Sequence, residues 1–404
     1  MSLPACTVVI AARNAAATIE RAIASAAQSA AAEILLIDDF SEDATVALAQ
    51  RAGGARVRVV RPPRRHSLGL VRDSGLHALQ TPYAVNLDAD DALLPGRVER
   101  MVAAMEDEKA DLAADSLELF SGATDTLIRR LHMPGFMSAP GAAVRIFERN
   151  YLPGIGQIGF RAERAQQIGY DHDLHGVEDT DFFLRAIAAG ARVAIVNDIG
   201  YRMFSYPGSV SRNLPRQRAM LAQLLRKHSY DAVARLYRAA GHDSRVTAWG
   251  LCSMAIFRED PEHALIFLDR AYDPARPAAV LEPHGPCPVP EGWRHGFAKG
   301  TLLCLLSRAA EAIEPFELAA RFDHARKPEG GEGELPYRGS PDLLNNWGVA
   351  LACAGRIAEA REKFSAALSL FPAYLDAKTN LSDEEPRAIT PHPLRMQPSR
   401  SEYA

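Results

Sequence analysis

An α/β fold with a mostly parallel sheet, followed by an all-helical region, is what the sequence predicts, and three observations carry it. Short aliphatic runs alternate with helical stretches of about 10 to 15 residues through the first part of the chain. Carboxylates and other polar residues gather where those runs end. From about Pro215 the strand pattern stops, and Ala/Leu/Arg-rich helical stretches take over.

The strands come first. TVVIA (7–11), EILLID (33–38), VRVVR (57–61) and YAVNLD (83–88) are β-branched or aliphatic runs of strand length. Between them, the segment from Ala16 to Ala30 places Ile19, Ile23, Ala26 and Ala27 on one helical face, and 43–52 and 70–79 follow the same pattern. Strand–helix alternation of this kind indicates βαβ units. Such sheets bind ligands beyond the carboxyl ends of their strands. Arg13 and Asn14, Asp38 and Asp39, and then Asp88, Asp90 and Asp91 all stand at those ends.

Composition narrows the classes. With 404 residues the chain can form two or three domains that each bury a core. A formal net charge of −4 argues against a nucleic-acid-binding surface. The five cysteines are scattered and lack a CxxC pair, which fits reduced thiols better than a disulfide framework or a zinc site. No apolar stretch approaches the ~20 residues of a membrane helix. No basic segment with a cleavage site precedes the first strand. The chain reads as soluble and cytoplasmic, with a peripheral contact at the inner membrane face left open.

The stretch AVNLDADD (84–91) carries the chemistry. Like charges this close repel unless a cation sits among them. A calcium loop of EF-hand type fails, because Ala92 and Leu93 stand where a ligand and a glycine are required. A phosphoryl-receiver domain would need a lysine at a later strand end, and Lys109, the sole lysine of the first 200 residues, falls in a helical stretch. The remaining functional reading is a divalent metal, Mg²⁺ or Mn²⁺, held by one or two carboxylates together with the oxygens of a diphosphate. A solvated acidic turn capping the helix after Pro95 is the bland alternative.

VVIAARNAAATIERAIAS, ILLIDDFSEDAT, HSLGLVRDSGLHAL and YAVNLDADDALLPGRV, in this order and spacing, resemble the nucleotide-sugar half of a family 2 glycosyltransferase with the GT-A fold. The segment 158–213 resembles the acceptor half, including the Glu178–Asp179 pair and the YR…SxSR ending. The resemblance covers about half the chain. It implies that Asp38 or Asp39 accepts a hydrogen bond from the base and that Arg72 approaches the diphosphate. It further implies that Asp88 reaches the ribose or the metal, that Asp90 ligates the metal, and that Asp91 supports it or touches the sugar. Arg13, Asn14 and Arg212 join the donor site on the same grounds. Asp179 becomes the base for the acceptor hydroxyl, with Glu178 in support. Two departures from the family stand out. Asp73 follows Arg72 where the family commonly has Asn, and Phe204 and Tyr206 stand near a place where it often has His. His172 and His175 lie among acids in YDHDLHGVED, but such spacings recur by chance and a second metal is not expected there.

The second half has helical stretches at 216–240, 244–258, 261–272 and 297–322, broken by PHGPCPVPEGW (283–293). Residues 343–374 match the tetratricopeptide pattern, with Leu344, Trp347, Gly348, Leu351, Ala360, Phe364, Ala367 and Pro372 at its offsets. One such unit cannot bury its face alone. A degenerate partner is expected at 248–272, and the helices either pack as a plain hairpin or form a groove for a protein partner. The domains expected are a catalytic domain at 1–214, a helical region at 215–326, a linker at 327–341, a tetratricopeptide-like unit at 342–381 and a disordered tail at 382–404.

The function expected is metal-dependent transfer of a sugar, with inversion, from a nucleotide-diphosphate sugar (UDP-linked) to a saccharide, lipid-linked or protein acceptor. One alternative is a GT-A domain without activity that serves as a scaffold. A nucleotidyltransferase is disfavoured, because AARNAAAT lacks the glycines and lysine of that family's loop.

Overall fold

Residues 3–174, 176–206, 214–277, 290–323 and 340–389 are described by the structure, a computed structural model. The chain divides into two units, residues 1–240 and 241–404.

In the first unit β1 (Cys6–Ala12), β2 (Glu33–Asp38), β3 (Val57–Val60) and β4 (Tyr83–Asn86) pair in parallel in the order β3-β2-β1-β4. These are the four runs read from the sequence. The sheet then continues with strands of mixed direction. β8 (Gly159–Arg161) is antiparallel to β4, and β6 (Leu112–Ser121) is antiparallel to β8. β9 (Val193–Ser205) lies parallel to β6 and carries β5 (Ala92–Leu93) on its far side, while β7 (Leu127–Leu131) pairs with β6.

Helices cover both faces, because the strand residues alternate in direction. Val8, Ile10, Ile34, Leu36 and Val85 face α1 (Ile19–Ala27), α2 (Thr45–Gly53) and α4 (Arg97–Asp107), and form one core with Ile23, Ala49 and Met101. Val9 and Ile37 face α3 (Leu68–Ala78), which approaches so closely that a Cβ on Gly75 would lie 2.2 Å from Ile37 Cδ1. Lys109 lies just past α4, not within it, in a turn with φ of 50°. α5 (Ala162–Ile168) and α6 (Glu178–Ala188) precede β9, and α7 (Leu214–Leu225) and α8 (Tyr230–Ala239) close the unit. No helix among the described residues is long and apolar enough to cross a membrane. Cys6, Cys252 and Cys304 are buried free thiols and Cys353 is an exposed one; Cys287 lies outside the described residues.

The second unit is built of hairpins: α9 (Ser244–Phe257) with α10 (Pro261–Ala271), α11 (Glu291–Leu305) with α12 (Ile313–Asp323), and α13 (Pro341–Cys353) with α14 (Ile357–Leu370), followed by α15 (Leu375–Ser382). The side chains of Asp243, Asp260 and Ser340 cap three of these helices, and Pro261 and Pro341 occupy first-turn positions that need no amide hydrogen.

The hairpins repeat with a strict period that the sequence-based reading did not find. Gly348, Ala360, Phe364 and Ala367 recur 48 positions earlier as Gly300, Ala312, Phe316 and Ala319, and 48 earlier again as Cys252, Ala264, Leu268 and Ala271. A Cβ on Gly348 would lie 2.5 Å from the Phe364 ring, and one on Gly300 would lie 2.6 Å from the Phe316 ring. The glycine and the ring therefore form one interhelical contact made twice.

His295 on α11 is buried and stacks on Tyr272 at 3.9 Å between centroids. Burial, and then the charge of Lys299, lower its pKa to about 4. The folded value lies below the unfolded one, so the stabilisation is present above pH ~6.5 and is lost as pH falls towards 4, by about 3 kcal/mol at most. His295→Phe keeps a ring against Tyr272 and cannot take a proton. Thermal melts from pH 7 to 4 should show the wild-type chain losing about 3 kcal/mol more stability than the variant; equal losses would show that His295 is not the group responsible.

Candidate active site

The loops at the carboxyl ends of β1, β2 and β4 and the start of α6 bring the site together. The first two loops brace each other. Asp39 N–H donates to Ala12 O at 2.9 Å, Asn14 N–H donates to Ser41 Oγ at 3.0 Å, and Glu42 N–H donates to Asn14 Oδ1 at 2.9 Å. Asn14 takes a φ of 48°, a conformation asparagine tolerates better than most residues. Its side chain thus holds the loop in shape.

The two acids after β2 separate by environment. Asp38 is fully buried, and its carboxylate accepts from Ser41 N–H at 3.0 Å and Arg61 Nε–H at 2.8 Å. Asp39 has a buried Oδ1 that no described residue meets with a hydrogen bond, and Arg13 lies 3.9 Å from its Oδ2. Burial raises the Asp39 pKa, against the pull of Arg13. An acceptor aimed into a partly enclosed place and left unpaired is available to a ligand.

Arg72 on α3 is the centre of the site. It is buried between Glu178, 3.2 Å from Nε, and Asp88, 3.4 Å from Nη2, and it donates from Nη1 to Gly156 O at 3.3 Å. Burial acts to lower its pKa, but Glu178 and Asp88 outweigh this and hold it above the ordinary value. Gln157 Nε2–H also donates to Asp88 Oδ2, at 2.7 Å. A Cβ on Gly156 would lie 3.0 Å from Asp179 Oδ2, a tight contact that would press on that carboxylate, and at ordinary contact distance, 3.6 Å, from the guanidinium nitrogens.

The first turn of α6 carries Glu178, Asp179 and Asp181, where the helix dipole favours acids. The turn enters through Val177, whose φ of 54° is unusual for a β-branched residue. Glu178 is buried and its pKa is raised, first by burial. Asp181 is fully buried and pairs with Arg185 at 2.6 Å and with Lys227 at 3.5 Å. Asp179 is half-buried. Its Oδ1 accepts from Thr180 N–H at 2.6 Å, and its Oδ2 faces Gly156.

The acidic turn is pinned from below. Asp88 N–H donates to Tyr201 Oη at 3.1 Å, and the Tyr201 hydroxyl donates to Asp91 Oδ2 at 2.8 Å. Phe204 N–H donates to Asp91 Oδ1 at 2.7 Å. Asp91 is therefore a brace with both oxygens engaged, and its pKa is pushed up to about 8, first by burial and then by Asp88 and Asp90. Asp90 differs, because its carboxylate takes no hydrogen bond from another described side chain. Burial and the charge of Asp88 raise its pKa. Arg21 on α1 donates to the Asp90 carbonyl and to Tyr206 Oη at 2.9 Å, and its Cζ lies 3.6 Å over the Phe204 ring.

Arg21 and Gln157 had no signal in the sequence, because each is brought in by pairing between distant strands and helices; Tyr201 stands in the YR…SxSR ending, but its brace on the acidic turn was not legible there. Asp73 turns away from the acidic turn and holds the loop after α5. It accepts from Tyr170 N–H at 2.9 Å and lies 2.9 Å from His172 Nε2. Arg212, Ser209, Ser211 and His175 lie outside the described residues.

Among the described residues no three His, Cys, Asp or Glu side chains converge as metal ligands. Two carboxylates, one of them taking no hydrogen bond from another described side chain, do fit an ion that takes its other oxygens from a diphosphate and water.

A family model described as glycosyl transferase family 2 matches residues 7–168. The chain is 31% identical over 258 residues to the succinoglycan biosynthesis protein ExoO of Rhizobium meliloti (strain 1021), covering 57% of this chain and 71% of ExoO. It is 32% identical over 210 residues to ExoU of the same organism, covering 48% of this chain and 60% of ExoU. The chain belongs to the family 2 glycosyltransferases and is a glycosyltransferase with the GT-A architecture. Among solved structures, S. aureus TarS 1–349 aligns with a TM-score of 0.47 at 15% identity, over 83% of this chain and 99% of that one. Its complex with UDP-GlcNAc aligns at 0.45 and 13% identity, over 91% of each chain.

Tyr201→Phe tests the brace. It deprives Asp88 N–H of its acceptor and Asp91 of a donor while keeping the ring over Arg97. An expected loss of about 1–3 kcal/mol should appear in urea denaturation. A loss under ~0.5 kcal/mol would mean that water replaces the hydroxyl and that the turn is not held there.

Proposed function

We propose that this glycosyltransferase moves a sugar from a UDP-linked donor to a hydroxyl of its acceptor with inversion at the anomeric carbon. The observation that carries the reading is the double pairing of Arg72, which draws Asp88 from the turn after β4 and Glu178 from the start of α6 to one guanidinium. A group that binds a diphosphate and a group that serves an acceptor must meet across one anomeric carbon, and Arg72 is where these two loops meet.

In this mechanism the acceptor oxygen attacks the anomeric carbon as the bond to the diphosphate oxygen breaks. The hydroxyl proton passes to Asp179, the acid of the α6 turn whose carboxylate is not committed to a cation. Glu178 keeps Arg72 in place, and Arg72 meets the charge that grows on the departing diphosphate. Asp39 accepts from the base, with Arg13 beside it, and Arg212 is assigned to the diphosphate. A Mg²⁺ or Mn²⁺ ion held by Asp90 and Asp88 would supply further neutralisation of that leaving group. The names of ExoO and ExoU, both succinoglycan biosynthesis proteins, favour a saccharide acceptor.

Thermal shifts with a panel of nucleoside diphosphates and their sugars, with and without Mn²⁺, identify the donor, since a ligand stabilises the state it binds. UDP is expected to shift the melt more than GDP or ADP, and only with the ion present.

Asp179→Asn should then lower kcat by about 10²–10⁴ while donor Kd stays within a few-fold, because the amide keeps the shape but cannot take a proton. Near-normal turnover would remove Asp179 from the base role. Asp90→Asn should abolish the metal dependence of diphosphate binding in calorimetry; unchanged affinity and unchanged dependence on the ion would refute the metal assignment.

A further inference from the structure

Three asparagine side chains are buried in the second unit: Asn345 and Asn346 on α13, and Asn380 on α15. An amide is costly to bury unless its donors and acceptor are met. Asn346 Nδ2–H is met within the helices, donating to Thr301 Oγ1 at 3.1 Å. The other two close on a peptide unit of the chain's own tail. Asn380 Nδ2–H donates to Ala388 O at 2.8 Å and Asn345 Nδ2–H donates to the same oxygen at 3.0 Å, while Ala388 N–H donates to Asn380 Oδ1 at 2.8 Å. Asn380 Nδ2–H also donates to Asn345 Oδ1 at 2.9 Å, which fixes the two amides relative to each other.

Both main-chain groups of residue 388 are thus satisfied by side chains, as a neighbouring strand would satisfy them, and nothing in the contact reads the side chain of that residue. Pro386 is buried on one side, and Ile389 packs against the two core clusters that share Trp347 and Ile313. Arg387 between them points to solvent and pairs only with Glu385. A main-chain grip flanked by two apolar holdfasts is the chemistry of peptide recognition, not of helix–helix packing.

We propose that the face formed by α13 and α15 is a seat for a polypeptide segment, and that residues 386–389 fill it as an intramolecular ligand. The partner it fits is a protein segment with a proline and, three residues on, an aliphatic side chain, which exchanges with the tail. Only eight positions separate Asn380 from Ala388, so the tail is present at a high effective concentration, ~mM for a short tether. The seat therefore stays closed to weak competitors.

A labelled peptide copying residues 383–391 tests this on the full-length chain. Ala388→Pro removes the N–H that Asn380 accepts and should free the seat, so that this variant binds the peptide at least ~10-fold tighter than the wild-type chain. Arg387→Ala in the peptide should change nothing, whereas Ala388→Pro in the peptide, or Asn380→Leu added to the chain, should abolish binding. Equal affinity of the wild-type and Ala388→Pro chains, or undiminished binding of the proline peptide, would overturn the proposal. Hydrogen exchange on the unmutated chain decides it independently of any variant. The Ala388 amide, held by Asn380 Oδ1, should exchange at least ~100-fold faster than buried amides of α13, through local lifting of the tail; exchange only by global unfolding would show a fixed strap and no seat.

Discussion

The pairing of Arg72 with Asp88 and Glu178 is the contact on which the candidate site depends. A guanidinium largely removed from water is tolerated only with partners, and of the two acids Glu178 is the buried one, so its removal would leave Arg72 with the more exposed Asp88 alone. The two acids come from loops with no other reason to meet, one after β4 and one at the start of α6. The pairing thereby sets the spacing between the two halves of the site. Residue 156 stands against the same cluster, where a Cβ would come within 3.0 Å of Asp179 Oδ2.

Beneath that cation a second layer fixes the main chain of the acidic turn and leaves one carboxylate unspent. Arg97 is 1% exposed, pairs with Asp115 at 2.7 Å and donates to the carbonyls of Asn86 and Gln157. It joins β6 to the ends of β4 and of the loop before β8. Tyr201 and Asp91 take the next step up, and Arg21 holds the Asp90 carbonyl from the α1 side. With its backbone held from both sides, Asp90 presents a carboxylate that no other described side chain donates to. Preorganisation of this kind costs folding energy at one position and lets a cationic ligand recover it.

The placement of the candidate residues at strand ends was legible in the sequence; the contacts among them were not. The strand runs place the acids at the carboxyl ends of a sheet, and register does the rest: β1 and β2 pair so that Ala12 stands beside Asp38, bringing Arg13 and Asp39 together. Which of two adjacent acids is free was not legible, because Asp38 is consumed by Arg61 and by its own turn, contacts that depend on where β3 ends. Asp73 directly follows Arg72, yet its carboxylate stays clear of the cluster around that guanidinium. Adjacent helical residues point about 100° apart, and that rotation turns Asp73 towards Tyr170 and His172. The 48-residue period was legible in principle. It was hidden because a single feature, the glycine facing an aromatic ring, is replaced in the first hairpin by Cys252 and Leu268.

That period also bears on the seat in the last hairpin. Position 345 corresponds, 48 and 96 residues earlier, to Phe297 and Trp249, each only 2% exposed. In those two hairpins the place is filled by a buried aromatic side chain, Phe297 with no polar group to satisfy and Trp249 with only its indole N–H, which no described residue meets. In the third it is filled by an amide with no accessible surface. Exchanging a buried ring for a buried amide forfeits hydrophobic stabilisation of ~2–3 kcal/mol and adds polar groups that must be paired. Asn345 Nδ2–H donates to Asn346 Oδ1 on the same helix and to the main-chain oxygen of residue 388, and Asn345 Oδ1 accepts from Asn380; the last two partners lie outside the hairpin. A helix pair selected only to pack would keep the ring. The amide makes physical sense where a peptide backbone is to be received, and this is why the third hairpin departs from the pattern of the other two.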